Sequence, residues 1–354
     1  MKKIVYSFLL IVLALTILPG QIKAATAKKA APKVWSAAAP KGFLPITWAK
    51  ARGIASFFKP QESNGYIDYL TIIYLPYNQL RLIASTTPQT TWGEVKAPFT
   101  AENASNWVFT KMATEKTKNQ NPDAQFIWNM PFFNITSTTT DLSLALKSTW
   151  PANKYITSGS RPDFDMSQSR RMLIIDNQKM TAKIADFNET TFLASGDVAV
   201  EGFAPSVIIN GYGDSSARLF VGVRAEGKEL VIYCSRGAYL SDASNALLAA
   251  GVSPENQMQA DGGASATCAY NLPGQYFVEP GRMLPHLMAA FPFLYRGTII
   301  NDGVNLRNGP GAKYKSLARL AKGTNVIVYE EKTGFVRIDQ SQQWVSKSLV
   351  KKVN

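Results

Sequence analysis

The stretch Gln259-Ala260-Asp261-Gly262-Gly263-Ala264-Ser265-Ala266-Thr267 places one carboxylate and two adjacent glycines inside a run of small residues. Glycine has no Cβ, so its backbone can approach a ligand closely and adopt turns closed to other residues. The pattern predicts a strand that ends near Asp261 and presents this carboxylate to a ligand. Because Asp-Gly is also a common hairpin-turn signal, a purely structural turn is the alternative interpretation.

Two segments earlier in the chain complete a motif set. Residues 126–134 read Phe-Ile-Trp-Asn-Met-Pro-Phe-Phe-Asn, and residues 217–223 read Ala-Arg-Leu-Phe-Val-Gly-Val. Together with 261–265 they resemble, in the same order, the Asn-Gly-Gly-Phe-Phe-Asn, Arg-Thr-Ala-Ile-Gly and Asp-Gly-Gly-Gly-Ser motifs of the phosphodiester glycosidase family. The resemblance extends over residues 66–291. It implies an enzyme, a hydrolase that cleaves a sugar from a phosphodiester.

Four positions depart from the family pattern. Met130 and Pro131 replace two glycines of the first motif, Leu219 replaces the usual threonine, and Ala264 replaces the third glycine of the last motif. These departures bear on substrate identity. They leave in place the polar candidates Asn129, Arg218, Asp261 and Ser265.

The resemblance and the chemistry of these groups suggest catalytic roles. Asp261 is expected to be the principal acid/base or stabilising carboxylate. Arg218 is expected to hold the phosphate through its guanidinium fork, with a structural ion pair as the alternative. Asn129 is expected to orient sugar hydroxyls. Substrate contacts from backbone or hydroxyl donors are expected at Gly262, Gly263 and Ser265.

Acid-base chemistry in this chain must rest mainly on carboxylates, because His286 is the only histidine and its apolar neighbours favour a packing role. No Gly-x-Ser-x-Gly elbow surrounds Ser265, which disfavours a serine hydrolase. A second carboxylate remains unassigned. Asp214 and Glu201 are candidates at the substrate, although each also fits a turn residue or a solvated charge.

The chain contains two cysteines, Cys234 and Cys268. In an oxidising compartment they are a possible disulfide between neighbouring strands; two buried free thiols are the alternative, since spacing does not determine pairing. With one distant histidine they lack the ligand spacing of a zinc site, so no metal is predicted. No cofactor is assigned.

The N-terminus predicts export. Lys2 and Lys3 precede an apolar run over residues 4–18, and small residues follow near Ala24. This predicts a signal peptide over residues 1–24, with an uncleaved anchor as the alternative. An Ala-, Lys- and Pro-rich segment at 25–40 predicts a flexible lead-in, and the glycosidase-like domain is expected over 41–295. No other segment is expected to span a membrane.

Residues 296–354 predict a separate all-β module. Asn305–Pro310, Lys322–Thr324 and Trp344–Val345 closely resemble motifs of the bacterial SH3 family. The module carries eleven Lys and Arg against four Asp and Glu, whereas the central domain is close to neutral. We expect it to bind cell-wall or another anionic envelope polymer. A solvated surface without a partner is the alternative, and nucleic acid is not expected because no nucleic-acid motif accompanies the charge.

Strand patterns at 66–75, 79–84, 126–128, 172–175, 217–223, 229–234 and 264–270 are joined by two predicted helices, at 241–250 and from about 100 to about 117. They predict an α+β mixed-sheet catalytic domain with helices, followed by a small all-β SH3-like barrel. The leading functional interpretation is a secreted or envelope-held hydrolase acting on a sugar-phosphodiester substrate. The rival is a non-catalytic wall-binding protein with a degenerate glycosidase domain.

Overall fold

The computed structural model describes residues 35–61, 64–85, 92–94, 113–130, 169–188, 191, 198–208, 215–272, 275–282, 284, 286–338 and 342–353. The predicted signal peptide and residues 25–34 of the predicted lead-in lie outside this part. Trp35, within the predicted lead-in, stacks on Tyr74 with ring centroids 5.4 Å apart. Its Nε1 donates to Glu229 Oε1 at 2.8 Å, so this end of the segment packs on the folded body.

Strands dominate the described residues. In chain order they are β1 (Leu44–Ala51), β2 (Ile54–Pro60), β3 (Ile67–Tyr74), β4 (Asn78–Ser85), β5 (Trp92–Glu94), β6 (Phe126–Trp128), β7 (Arg170–Asp176), β8 (Thr181–Asp186), β9 (Val198–Phe203), β10 (Ser216–Arg224), β11 (Glu229–Ala238), β12 (Gln257–Gln259), β13 (Cys268–Tyr270), β14 (Tyr276–Val278), β15 (His286–Pro292), β16 (Tyr295–Ile299), β17 (Val304–Arg307), β18 (Ser316–Leu320), β19 (Asn325–Val328), β20 (Glu330–Lys332), β21 (Phe335–Arg337), β22 (Trp344–Ser346) and β23 (Val350–Val353). The α-helices described are α1 (Ala113–Gln120) and α2 (Leu240–Ala249).

Two sheets form the central body. The larger has nine strands in the order β1-β2-β3-β11-β10-β12-β9-β7-β8, and the smaller has six in the order β14-β13-β6-β15-β4-β5. Their inner faces pack against each other around one core that contains Leu219, Val221 and Ile232 from the larger sheet and Trp128 and Met288 from the smaller. The central body is therefore a β-sandwich.

Helix α2 covers the outer face of the nine-stranded sheet. Its Ala243 and Leu247 pack with Phe220, Val231 and Tyr233 in a second buried cluster. The sequence expectation of a helix at 241–250 is close to the observed bounds; the N-cap residue is Tyr239. Asp242 supplies the capping contact, because its Oδ2 accepts from the Tyr239 N–H at 2.9 Å. Of the other predicted helix, residues 100–112 lie outside the described part.

The predicted α+β class is wrong, because the described chain is predominantly β. The pairings within its sheets are antiparallel rather than mixed, as at β2–β3, β7–β8 and β10–β11. Tight connections between successive strands enforce this arrangement. At the β10–β11 turn, Ala225, Glu226 and Gly227 all have positive φ, which reverses the chain within a few residues.

The C-terminal module is all-β but not a closed barrel. Its strands form a three-stranded sheet, β19-β16-β23, and a five-stranded sheet, β18-β17-β22-β21-β20. Ile299, Val304, Val328 and Val336 lie in the core between them. The module therefore has its own core, but the barrel closure predicted from the strand pattern is wrong.

Candidate functional site

The loop of residues 260–267 crosses from the nine-stranded sheet to the six-stranded sheet. On the larger sheet, Ala260 N–H donates to the Leu219 carbonyl at 3.0 Å; toward the smaller sheet, Asp261 N–H donates to the Met130 carbonyl at 3.1 Å. At the far end the Thr267 carbonyl accepts from Asn129 N–H at 3.1 Å. These bonds bring the ends of β6, β12 and β13 together around Asp261, and we refer to 260–267 as the crossing loop.

The two glycines of the crossing loop serve different needs. A Cβ on Gly262 would lie 2.9 Å from the Ala217 carbonyl oxygen, so the loop backbone packs directly on β10. Gly263 has φ +58° and open space where a Cβ would be, so its requirement is conformational. It begins a short 3₁₀ turn, Gly263–Ser265. The loop joins strands of different sheets, so the Asp-Gly pair is not a hairpin turn.

Asn129 and Asp261 meet through their side chains. Asn129 Nδ2 donates to Asp261 Oδ2 at 3.1 Å, and Asn129 is fully buried, whereas Asp261 is half-buried. The amide therefore fixes one oxygen of a carboxylate that keeps access to solvent.

Some of the buried polar atoms without a partner belong to the crossing loop or to the strands that meet or flank it. Within the described part of the chain, no hydrogen-bond partner is found for Asn129 Oδ1, Gln259 Oε1, Ser265 Oγ or Glu201 Oε2. Buried polar groups are nearly always paired, so orphaned ones point to a ligand or ordered water. Gln259 was not a sequence candidate, because nothing in its local spacing distinguishes it from a strand residue.

Arg218 lies on β10 beside the crossing loop. It is 3% exposed, and its Nε donates to the Ala238 carbonyl at 3.1 Å. Burial lowers the pKa of the guanidinium, an effect opposed by the nearby Tyr233 hydroxyl. The Arg218 backbone also lies next to Gly262, because a Cβ on that glycine would be 3.8 Å from Arg218 Cα. The fold thus brings together the crossing loop, Asn129 and the strand that carries Arg218.

Of the two candidates for the second carboxylate, the structure describes only Glu201. Asp214 lies outside the described residues. Glu201 is buried on β9, and its Oε1 accepts from Arg170 Nε. Strand β9 pairs with β12 at Phe203↔Gln259, so Glu201 lies on a strand beside the one that leads into the crossing loop. Glu201 is buried and is therefore not a solvated charge.

Cys234 and Cys268 form a disulfide in the structure, with their Cα atoms 6.5 Å apart. Cys234 belongs to β11 of the larger sheet, and Cys268 is the first residue of β13 in the smaller sheet. The bond therefore ties the two sheets together one residue after the crossing loop ends.

Two departures from the family motifs lie in the core. Met130 and Leu219 are both fully buried in the apolar cluster between the sheets, so their side chains do not fill the candidate site. Trp128 belongs to the same cluster. Pro131, Phe132 and Phe133 lie outside the described residues.

His286 is fully buried on β15, where burial lowers its pKa to about 4. It is consequently neutral at neutral pH, which agrees with a packing role. Across the described ranges, no three His, Cys, Asp or Glu side chains cluster in a way that would hold a metal ion. Nor does any described helix have the length and apolar character needed to cross a membrane.

This architecture defines a β-sandwich protein with a polar site where its two sheets meet, followed by a small all-β module. Residues 302–351 of that module match the bacterial SH3 domain family. No curated protein sequence matches the chain.

Two solved structures resemble the chain distantly. One is the catalytic domain of zebrafish N-acetylglucosamine-1-phosphodiester alpha-N-acetylglucosaminidase, auto-inhibited by its pro-peptide. It is 15% identical, with a TM-score of 0.41, and the match covers 73% of this chain and 87% of that chain. The other is a hypothetical protein from Synechocystis, 14% identical, with a TM-score of 0.36 and coverage of 71% and 64%. The bacterial SH3 domain is therefore established at residues 302–351.

Proposed function

We propose that the protein is an exported hydrolase that cleaves the glycosidic bond of a sugar-1-phosphodiester in an envelope or extracellular glycoconjugate. The observation that carries this proposal is the Asn129–Asp261 contact at 3.1 Å, set among buried polar atoms that lack partners in the described chain. The ordered motifs around residues 129, 218 and 261 supply the reaction class by their resemblance to phosphodiester glycosidases.

The residues at the site fit this reaction. Glycosidic cleavage passes through an oxocarbenium-like transition state. A carboxylate such as Asp261 can stabilise this positive charge or act as a general acid or base. The leaving group of a phosphodiester is a weak base and needs little protonation. A cation that binds the negatively charged phosphate therefore contributes more to catalysis than an acid that protonates it. Arg218 supplies a buried guanidinium on the adjacent strand. Asn129 was expected to orient sugar hydroxyls; its side-chain amide also orients Asp261 through a hydrogen bond.

Glu201 is our choice for the second carboxylate. Strand β9 pairs with β12 at Phe203↔Gln259, which puts the strand that carries Glu201 beside the strand that leads to Asp261. Glu201 is buried, its Oε1 accepts from Arg170, and its Oε2 has no partner in the described chain.

The rival function is a non-catalytic wall-binding protein. Its main support is the loss of family motif residues at Met130 and Leu219. Both side chains are buried between the sheets rather than in the site, so these replacements leave the polar groups in place. The packing therefore favours the hydrolase.

Product analysis separates the candidates. The full chain is incubated with a panel of sugar-1-phosphodiesters, and the products are identified by mass spectrometry. We expect free sugar. Release of a sugar phosphate would instead indicate a phosphodiesterase, and the absence of any product across the panel would support the non-catalytic rival.

Arg218→Lys tests the phosphate clamp. Lysine keeps the charge but loses the planar fork, so we expect kcat/KM for a phosphodiester substrate to fall tenfold or more, an effect of roughly 1.4 kcal/mol. If kcat/KM is unchanged while the thermal midpoint falls, Arg218 has only a structural role.

The bacterial SH3 domain is proposed to hold the enzyme on cell-wall or other anionic envelope polymer. Its surplus of Lys and Arg over Asp and Glu supplies the attraction. Binding of the full chain to purified wall fragments should weaken with salt, because the Debye length contracts from about 10 Å at 0.1 M to about 3 Å at 1 M. Salt-insensitive binding would indicate a groove that recognises peptide or glycan instead.

A further inference from the structure

Two exposed tyrosines lie at the same end of the nine-stranded sheet as Arg218. Tyr66 immediately precedes β3 and is 43% exposed, and Tyr239 immediately follows β11 and is 49% exposed. Strand β11 pairs with β3 on one side and with β10 on the other. Both rings therefore belong to the end of the nine-stranded sheet where Arg218 lies.

Three consecutive residues join the tyrosines to Arg218. A Cβ on Gly237 would lie 2.4 Å from Cδ2 and Cε2 of Tyr66, so the Tyr66 ring rests directly on that glycine. The next residue, Ala238, provides the carbonyl that accepts from Arg218 Nε at 3.1 Å. The residue after it is Tyr239, whose position is fixed by the capping bond from its N–H to Asp242.

Hydrogen bonds to neighbouring residues fix the backbone of Tyr66. Its carbonyl accepts from Gln61 N–H at 2.8 Å, and its N–H donates to Asn64 Oδ1 at 3.0 Å. Gln61 Nε2 in turn donates to Asp68 Oδ1 at 2.5 Å and to Ser235 Oγ at 3.1 Å. An exposed aromatic on so well-fixed a backbone loses little conformational freedom when it binds a ligand.

We propose that Tyr66 and Tyr239 form a sugar subsite, in which their rings pack against the apolar C–H face of the pyranose whose phosphate is held by Arg218. This inference rests on the proposed function, which assigns the phosphate to Arg218. A pyranose ring fits because it presents an apolar face with hydroxyls at its edge, and tyrosine offers a flat apolar ring with a polar tip. Trp128, the aromatic residue next to Asn129 in the chain, is buried in the core.

Binding measurements test the subsite without turnover. The full chain and its variants are titrated calorimetrically with glucose 1-phosphate, N-acetylglucosamine 1-phosphate and inorganic phosphate. We expect Tyr66→Ala and Tyr239→Ala each to weaken binding of the preferred sugar 1-phosphate by roughly three- to tenfold, the scale of a lost aromatic contact. Neither variant should change the affinity for inorganic phosphate.

Controls separate stacking from folding. Tyr66→Phe and Tyr239→Phe keep the ring and should bind sugar 1-phosphate within about twofold of the parent, since the apolar face is retained. Tyr314→Ala removes a tyrosine that is 37% exposed in the C-terminal module and should have no effect. Equal thermal midpoints for the parent and the alanine variants would show that the fold is intact.

Two results would overturn the subsite: unchanged sugar 1-phosphate affinity in the double alanine variant, or a parent protein that binds both sugar 1-phosphates no more tightly than inorganic phosphate. Failure of the proposed function has a different signature. If the parent binds a sugar 1-phosphate through both tyrosines but releases no sugar from any phosphodiester, the subsite is supported and the hydrolase is not.

Discussion

At the scale of single residues, the site depends on contacts between side chains that are distant in sequence. Asn129 and Asp261 are 132 residues apart, yet the amide of one fixes a carboxylate oxygen of the other. Asn129 is fully buried, so it cannot be exchanged for a charged residue without leaving that charge desolvated. Asp261, half-buried, is the group that can reach both substrate and water.

Asp261→Asn should abolish turnover and preserve the fold. The amide keeps the shape of the side chain but can neither carry charge nor exchange a proton, and a carboxylate in this role is worth about 10²–10⁴ in rate. Steady-state kinetics with the best sugar-1-phosphodiester provide the measurement. Glu226→Gln, which alters a carboxylate whose side chain is 88% exposed, is the matched control. Activity of the Asp261 variant within threefold of the parent would refute the assignment.

Asp68 provides a residue-scale prediction about pH. Burial raises the pKa of Asp68, opposed by hydrogen bonds from Tyr233 and Gln61, while Asp242 raises it further and Lys59 lowers it. The native state therefore holds this proton more tightly than the unfolded chain does. The resulting stabilisation is complete below the unfolded pKa of about 3.9 and is lost as pH rises through the native pKa.

Asp68→Asn cannot titrate, so it should escape this loss. We expect the free energy of unfolding of the variant minus that of the parent to increase as pH rises from 4 through the raised native pKa, because only the parent loses stability. Urea denaturation across that range provides the measurement, with Glu226→Gln as the control. A difference that stays constant with pH would show that Asp68 has the same proton affinity in both states.

At the scale of elements, the crossing loop is the decisive segment. It leaves β12 in one sheet and enters β13 in the other, and the Cys234–Cys268 disulfide closes the connection immediately beyond it. The sequence predicted a strand that ends near Asp261, with a hairpin turn as the alternative, and the structure shows that the chain passes from one sheet to the other at this point. The geometry of the site is therefore coupled to the spacing of the two sheets.

Replacing both cysteines, as Cys234→Ala with Cys268→Ala, should loosen this connection. The crosslink spans a sequence separation of 34 residues. A loop of this size stabilises a protein by about 3–4 kcal/mol in the chain-entropy description. We expect a loss of this order in urea denaturation, together with reduced turnover. A loss below about 1 kcal/mol would show that the core alone sets the sheet spacing.

At the scale of the whole molecule, the bacterial SH3 domain is packed on the sandwich. Arg337 is buried, and its Nη1 and Nη2 donate to Asp123 Oδ2 and Oδ1 at 2.6 and 2.9 Å. Tyr329 lies in an apolar cluster with Phe291 and Phe293. A docked module of this kind holds any wall-binding surface at a fixed orientation to the site, unlike one on a flexible tether.

Arg337→Ala tests this docking. The substitution removes a buried cation and leaves Asp123 without its bidentate partner. Because the unpaired carboxylate is costly, we expect the free energy of unfolding to fall by about 3 kcal/mol. Lys347→Ala removes the exposed ion pair with Glu331 and should cost about 0.5 kcal/mol. Denaturation of the full chain provides both values. Equal effects of the two substitutions would show that the Arg337 contact contributes no more than a surface pair.

The sequence by itself determined local features: several strand positions, the short helix near 241–250, the C-terminal bacterial SH3 domain and the polar residues of the three motifs. These follow from alternation, turn residues and motif spacing, which are properties of neighbouring positions. Strands such as β1, β8, β9 and β12 were not predicted, and of the strand expected at 264–270 only Cys268–Tyr270 is a strand. The expected balance of helix and strand was wrong, because strand pairing in a sandwich is settled by distant partners.

The tertiary structure alone decided which groups meet. It paired the strand of Glu201 with β12, joined Cys234 to Cys268, and buried Trp128 and Met130. It also packed Tyr66 on Gly237, next to the Ala238 carbonyl that Arg218 contacts. Nothing in the spacing of these residues along the chain reports their distance in space. The physical reason is that hydrogen-bond register and the packing of two sheet faces join segments that are distant in the sequence. Burial then determines which polar atoms remain available to a ligand.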